Sequence, residues 1–419
     1  RVSARVSTMD EGPAKAAALD HLYQGQGNDC YWHGLFGGIY ISHMRLATCE
    51  HLIAAEDTAD AAARADGRPV DGGRLVDVDL DGSEDALFTT EGQVVAVKLS
   101  EGAGIGEWDV RAARHALTSV MRRRPEAYHA TLIRHEDDVA RKASATRARS
   151  GNAAGTTGDA PASIHEIVTT KEPGLSALLT YDWHERRSGL VHVFDPATTP
   201  EAFARSLEGE LGDFVDQPFT VEELSSDRLV VVRDGTVIRD GRRWPVRVVK
   251  DLTLAGGRAD PSLALRVTVE NAGAERLEAR LGVEWNITML GGGGNPAAYH
   301  LVAGQRSAHD AAGRAEAVAR VESGNTYIGI ALESRLDPPA DAWWSPIETV
   351  SNSEAGFERI YQGSSTVFVW PLDLASGGTM SVRIQAGVSA SRDRAAEEMT
   401  SKESRDRLAA SRHDPPRNP

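Results

Sequence analysis

Leu263-Ala264-Leu265-Arg266-Val267-Thr268-Val269 decides the fold class. Every second residue is a large aliphatic one, and those between are small or polar. A period of two marks a half-buried strand. The same texture lies on both sides. Upstream are Val94-Val95-Ala96-Val97-Lys98-Leu99, Leu229-Val230-Val231-Val232 and Arg247-Val248-Val249-Lys250. Downstream are Arg280–Asn286, Thr326–Leu332, Ser365–Trp370 and Met380–Ile384. Asp234-Gly235, Asp240-Gly241 and Asn271-Ala272-Gly273 read as turns between strands. Many strands and few helices after residue 74 predict a mainly β chain, a large sandwich rather than a βαβ fold.

The first 68 residues have a different texture. Ala14, Ala17, Ala18 and Leu22 recur at helical spacing, and a second helix is expected from about Ile39 to Ala65. Gly67, Pro69, Gly72 and Gly73 form a linker. Residues 1–68 therefore read as a short α-helical segment and 74–390 as the sandwich. Residues 144–163, rich in Ser, Ala, Gly and Thr, are expected to be a mobile loop. Residues 391–419 read as a charged, disordered tail. Residues 1–22 read as a helix already under way. With no Met and no signal peptide at the start, the chain reads as a fragment whose beginning lies upstream.

Composition bounds the partners. The 419 residues carry 46 Lys plus Arg against 61 Asp plus Glu, a net charge of −15. A surface that acidic repels phosphate, which excludes nucleic acid and anionic membrane as main partners. No apolar run approaches the ~18 residues of a membrane-spanning helix. Two cysteines, Cys30 and Cys49, exclude a disulfide scaffold and a zinc ribbon. They read as free thiols in a reducing, cytoplasmic compartment.

The usual catalytic sets are missing. There is no Gly-x-x-x-x-Gly-Lys loop, no Gly-x-Ser-x-Gly elbow and no His-Glu-x-x-His helix. Tyr181-Asp182-Trp183-His184-Glu185 has the composition of an acid/base cluster, but it follows the strand-like run Leu175–Thr180 and reads as a sheet edge entering a loop. The densest polar–aromatic mixture is Asn28, Asp29, Tyr31, Trp32 and His33. Sugars need this mixture, because polar groups meet the hydroxyls and an aromatic face covers the ring's C–H face. A helix–loop–helix corner with Tyr31, Trp32 and Phe36 in the core has the same composition, so both readings stand. Asp77, Asp79, Asp81 and Asp85, with Gly82, resemble the first half of a calcium loop. Phe88 occupies the twelfth position, where a full loop has Glu; an acidic turn is the alternative. Of Trp343-Trp344, at most one can meet a ligand, since neighbours on a strand face opposite sides.

Leu22 to Tyr40, containing Gln26-Gly27-Asn28-Asp29-Cys30-Tyr31-Trp32-His33-Gly34 and Phe36-Gly37-Gly38, resembles the fifth conserved region of glycoside hydrolase family 57, in its 4-α-glucanotransferase/α-amylase branch. Gly27 stands where the family has Cys. Arg122–His129, Pro346–Glu358 and Tyr361–Ser364 resemble later stretches of the same family, in the same order. The resemblance implies a catalytic (β/α) barrel upstream, a helical segment, and a mutarotase-like β-sandwich. It also implies a retaining mechanism with a Glu nucleophile and an Asp acid/base, carboxylates ~5–5.5 Å apart, both on the barrel. The barrel's His-x-His-Gln-Pro motif is absent from this sequence, so no catalytic residue is carried over.

The expectation is a C-terminal portion of an enzyme acting on α-1,4-glucans, inactive alone and needing no cofactor, calcium being the one candidate. Its partners would be an α-glucan or maltooligosaccharide and the upstream barrel. The alternatives are a free-standing carbohydrate-binding protein and a mutarotase-like epimerase. The epimerase requires a His and a carboxylate facing one pocket.

Overall fold

The computed structural model describes residues 1–34, 36–149, 168–292, 294–394 and 396–397. Three helices open the chain: α1 (Val2–Ser7), α2 (Pro13–Gly25) and α3 (Ser42–Ala65). The helix expected to run on from residue 1 is broken between Ser7 and Pro13, and Pro13 then starts α2, where its missing N–H costs nothing. Val6, Ala18 and Leu22 bury against Ala55 and Ala59 of α3, and these small residues let the helices approach closely.

Strands begin at Gly72. Five short ones form an antiparallel sheet in chain order: β1 (Gly72–Val76), β2 (Asp85–Thr89), β3 (Gln93–Lys98), β4 (Gly104–Val110) and β5 (His115–Ala116). Next come α4 (His129–Arg149), β6 (Leu190–Phe194) and α5 (Pro200–Ala204). The remaining strands are β7 (Thr220–Leu224), β8 (Arg228–Arg239), β9 (Arg242–Ala255), β10 (Ser262–Asn271), β11 (Leu277–Ile287) and β12 (Ala298–Val302). After them run β13 (Gln305–Ala308), β14 (Gly313–Asn325), β15 (Ile330–Ser353), β16 (Gly356–Leu374) and β17 (Thr379–Ala390). With β6 they make a 12-stranded antiparallel sheet.

That sheet doubles back through β15. Its residues Ile330–Asp337 pair with β17, and Asp341–Ser353 pair with β16. The switch falls at Pro338-Pro339, which have no N–H for a ladder. One layer, β7-β8-β9-β10-β17, thus packs over another, β16-β11-β6, around a shared core. Strands that change sheets make such corners. The large open sandwich behind a short helical segment is as expected. In β10, Leu263, Leu265, Val267 and Val269 are all at most 2% exposed, as the period of two requires. Trp108 of β4 meets Trp285 of β11 edge to face at 6.1 Å, so the small sheet shares this core.

The helical segment is tied to the sandwich by charge. Arg111 reaches Asp57 and Asp60 of α3, all three buried, and Arg258 holds Asp57 at 2.7 Å. Gln362 of β16 donates to the Tyr40 carbonyl at 2.8 Å.

Several local expectations are corrected. Residues 144–149 belong to α4 instead of a loop; 150–163 lie outside the described residues, as do 398–419 of the tail. Leu175–Leu178 is a 3₁₀ turn, not a strand, because Glu136 of α4 accepts the Leu175 and Ser176 amides at 2.9 and 3.1 Å. Thr326–Gly329 is a turn before β15; the Asn325 side chain accepts the Tyr327 amide at 2.8 Å and competes with the ladder. Asp240-Gly241, both at positive φ, is the two-residue turn joining β8 and β9. Asp234-Gly235 lies instead inside β8. A Cβ on Gly235 would sit 2.3 Å from an Asp213 oxygen, so glycine there serves close approach.

Candidate functional site

The corner between α2 and α3 is built on glycine. Gly38 has φ +51°, and a Cβ there would lie 2.0 Å from the Trp32 carbonyl oxygen. That oxygen accepts the Ile39 amide at 3.0 Å, which closes the loop. Asn28-Asp29-Cys30 forms a 3₁₀ turn. Asn28 and Asp29 are exposed, and their side chains have no partner among the described residues. Tyr31 and Trp32 are 54% and 52% exposed. The Tyr31 hydroxyl is tied back to the Gly25 carbonyl at 2.5 Å. Trp32 covers Gly34 with one end of its indole. His33 is half-buried: it stacks on Tyr128 at 5.0 Å, and its Nε2 donates to the Asn352 carbonyl at 3.1 Å. Neutral His33 therefore carries its proton on Nε2 and offers Nδ1 as an acceptor. Tyr40, edge-on to His33 at 5.6 Å, donates to Glu126. Burial and that carboxylate raise the phenol's pKa. The corner thus presents an indole, a phenol, an amide and a carboxylate to solvent on a rigid base. Tyr23 and Phe36, 67% and 71% exposed, extend its apolar surface.

The acidic turn is partly assembled. Asp77, Asp79 and Asp81 bring carboxylate oxygens within 4.8 Å of one another. Asp85 does not join them; it is fully buried in β2 and ion-paired with Lys98 at 2.9 Å. Lys98 also stands 2.9 Å from Asp79 and 3.6 Å from Asp81, where a cation would be drawn. Asp77 accepts the Asp81 and Gly82 amides.

A second group was visible in the sequence only through Asp182 and His184, read there as a sheet edge entering a loop; His192 and Glu284 were not singled out. His184, His192 and Glu284 lie close enough to hold a metal ion, all buried. Glu284 takes His184 Nε2 at 2.8 Å, His192 Nε2 at 3.1 Å and Arg186 Nη1 at 2.5 Å. Glu210 takes the other His192 nitrogen at 2.7 Å. Arg186 Nη2 goes on to Asp182 at 2.6 Å, which Arg123 also grips. Burial works against ionisation of Glu284, yet Arg186 and the two histidines hold it well below the usual carboxylate range. Burial likewise opposes charge on His192, but Glu210 and Glu284 raise it to about 9. In this structure these groups bond to one another as an ion network, and a metal ion would have to displace the His192 proton.

Trp343 is buried with Phe194 and Phe203, and Trp344 packs against the main core. Neither is an open sugar platform.

Two family models match this chain. "Alpha-amylase/4-alpha-glucanotransferase, C-terminal" covers residues 77–384, and "Alpha-amylase/4-alpha-glucanotransferase, middle domain" covers residues 1–59. The chain belongs to the α-amylase/4-α-glucanotransferase family. Alpha-amylase 1 of Dictyoglomus thermophilum is 29% identical over 91% of this chain and 50% of its own length. The 4-alpha-glucanotransferase of Thermococcus litoralis is 28% identical over 85% of this chain and 46% of its own. The crystal structure of a 4-alpha-glucanotransferase from the same organism superposes with TM-score 0.67 at 24% identity, over 90% of this chain and 48% of that one. The chain spans about half the length of the curated relatives it matches.

Within this family member, the Asn28–His33 corner falls in the part matched by the middle-domain model, and the ion network in the C-terminal part. Tyr40, Tyr128 and Asn352, which seat His33, were missed as site residues. All three lie in stretches already matched to the family, Leu22–Tyr40, Arg122–His129 and Pro346–Glu358, so their sequence signal was present. No helix among the described residues is long and apolar enough to cross a membrane.

Proposed function

We propose that this chain is the α-glucan-binding and scaffolding part of an enzyme of its family acting on α-1,4-glucans, completed by an upstream catalytic barrel. The observation that carries this reading is the exposed corner of Asn28, Asp29, Tyr31, Trp32 and His33. Its Trp32 face is half open while its backbone is locked by Gly38. A sugar ring lies on the indole, Asn28 and Asp29 meet its hydroxyls, and His33 Nδ1 accepts one more. The chain alone lacks the barrel's two carboxylates and neither hydrolyses starch nor disproportionates maltooligosaccharides.

The test is a titration of intrinsic tryptophan fluorescence with maltoheptaose, using cellohexaose as the β-linked control. Saturable change with maltoheptaose alone supports the reading. No response to either sugar sinks it, and turnover that copurifies with the chain sinks the scaffolding half. The epimerase alternative gains no support from the ion network: its His and carboxylate groups are buried and bonded to one another.

Calcium at Asp77, Asp79 and Asp81 is a finer reading of the acidic turn, and the ion would have to displace Lys98. Calcium at ~100 times its dissociation constant would add about 2.7 kcal/mol. Melting that falls with EDTA and recovers with calcium, not magnesium, supports the site. An unchanged curve leaves Lys98 as the sole counter-ion.

A further inference from the structure

A cavity of about 280 Å³ opens on the sandwich between the 177–180 segment, the end of α5, and strands β15 and β16. Arg123, Arg205, Glu348 and Arg359 line it together with the apolar Leu178 and Pro346. Arg123 is already neutralised by Asp182 at 2.6 Å. Arg359 is neutralised by Glu348 at 3.2 Å and Glu172 at 3.1 Å. Arg205 is exposed and has no ion-pair partner among the described residues. Most of the charge is thus balanced from within, and an ionic ligand has little to gain. What remains is a set of fixed N–H donors and carboxylate acceptors beside an apolar patch. That combination suits a neutral polyol with hydroxyls on its rim and C–H groups on its faces. The volume is at the small end of ligand pockets, near ~300 Å³, room for one or two sugar rings.

A smaller hollow adjoins it and shares Arg123, Leu178 and Glu348. Its far wall is Tyr40 and Glu126, and Tyr40 is the residue edge-on to His33. The cavity and the corner are therefore linked through one residue.

We propose that this cavity is a second α-glucan pocket, holding a glucosyl unit of a chain separate from the one at the corner. It rests on the glucan-binding reading above. Arg205 and Glu348 orient hydroxyls, and Leu178 with Pro346 receives a ring face.

The test is methyl-labelled NMR of the full chain with maltoheptaose. It follows the Leu178 methyl groups for the cavity and the Trp32 indole N–H for the corner. Both should shift and saturate. Arg205→Ala, at an exposed position that leaves the fold intact, should weaken the Leu178 response about fivefold and leave Trp32 unchanged. Glu348→Gln should do the same, and Trp32→Ala should leave a Leu178 response in place. A Trp32 shift without a Leu178 shift overturns the pocket and spares the corner. Silence at both overturns both. A Leu178 shift with inorganic phosphate but not with maltoheptaose makes the cavity an anion site and overturns the proposal.

Discussion

Asn28-Asp29-Cys30-Tyr31-Trp32-His33 and Tyr181-Asp182-Trp183-His184-Glu185 have nearly the same composition and opposite fates. In the first, Asn28 and Asp29 are exposed and their side chains have no partner among the described residues, while Trp32, 52% exposed, differs little from Trp183 at 41%. In the second, Asp182 and His184 are buried and spent on Arg123, Arg186 and Glu284. The Trp183 indole donates to Glu208 at 2.7 Å. Composition alone therefore does not mark a binding surface. What separates the two is whether the polar groups already have partners. A ligand can use only the bonds the fold leaves unmade. The corner keeps bonds open because glycine holds its backbone without help from those side chains.

The largest expected effect lies at the buried member of this pair. Glu284→Gln leaves Arg186 and His192 buried without their shared carboxylate. Breaking a buried pair on one side costs about 3–5 kcal/mol. At about 2.1 cal/mol/K of unfolding entropy per residue, the 419 residues give roughly 1 °C per kcal/mol, so the melting temperature should fall by about 3–6 °C. Asp29→Asn at the corner should stay within ~0.5 kcal/mol of the native chain. Thermal melts of both variants check the contrast, and equal losses would break it.

That network was illegible in the sequence for a geometric reason. His192 and Glu284 are far apart in the chain and meet only because β6 pairs with β11, setting His192 opposite Gly282. Glu284 is two residues further along β11, on the same face, so the two are diagonal neighbours. No local spacing announces such a register. β9, β10 and β17 were legible, since each carries a period of two; β6, which holds His192, was not singled out, being buried at every position with no alternation. The helix α4 was not legible: it has few large apolar residues to mark a face, and its place depends on Leu132 packing with Leu175, Val350 and Phe357, remote in sequence. The corner was legible as a mixture of residue types, but its openness was not.

The next effect is on pH. His192 has a folded pKa raised to about 9, above the ~6.5 of an unfolded histidine. Its contribution is complete below ~6.5 and is lost as pH rises through about 9. His300 and His309 behave oppositely. Burial lowers His300 to about 4 and His309 well below its usual value. Both stay neutral when folded, while the unfolded chain takes up protons below pH ~6.5. These histidines therefore lower stability on the acid side from ~6.5 toward 4 and on the alkaline side through about 9, while buried Lys250, whose pKa burial lowers to about 7, opposes the alkaline fall. Chemical denaturation across that range reads both limbs. The native-minus-His192→Gln difference removes the Lys250 contribution and should fall as pH rises through about 9, with the acid limb unchanged. A difference that is level from pH ~7 to ~10 would show that His192 is not held as an imidazolium.

The smallest expected effect is the one most specific to function. Trp32→Ala removes an indole that is 52% exposed, with its loop closed by backbone bonds that the substitution leaves intact. Stability should change by less than about 1 kcal/mol, against the ~3–5 kcal/mol of a core tryptophan such as Trp285. Binding should change more. A pyranose face covering roughly 60 Å² of indole, at ~25 cal/mol per Å², contributes about 1.5 kcal/mol. That is about a tenfold weaker maltoheptaose dissociation constant. Calorimetric titration and melting of the same preparation measure both quantities. Normal melting with weakened binding is the expected pair. Unaltered binding in a folded variant would remove Trp32 from the glucan surface. A large loss of melting temperature would place its indole in the packing, and the contrast with Tyr181–Glu185 would then rest on Asn28 and Asp29 alone.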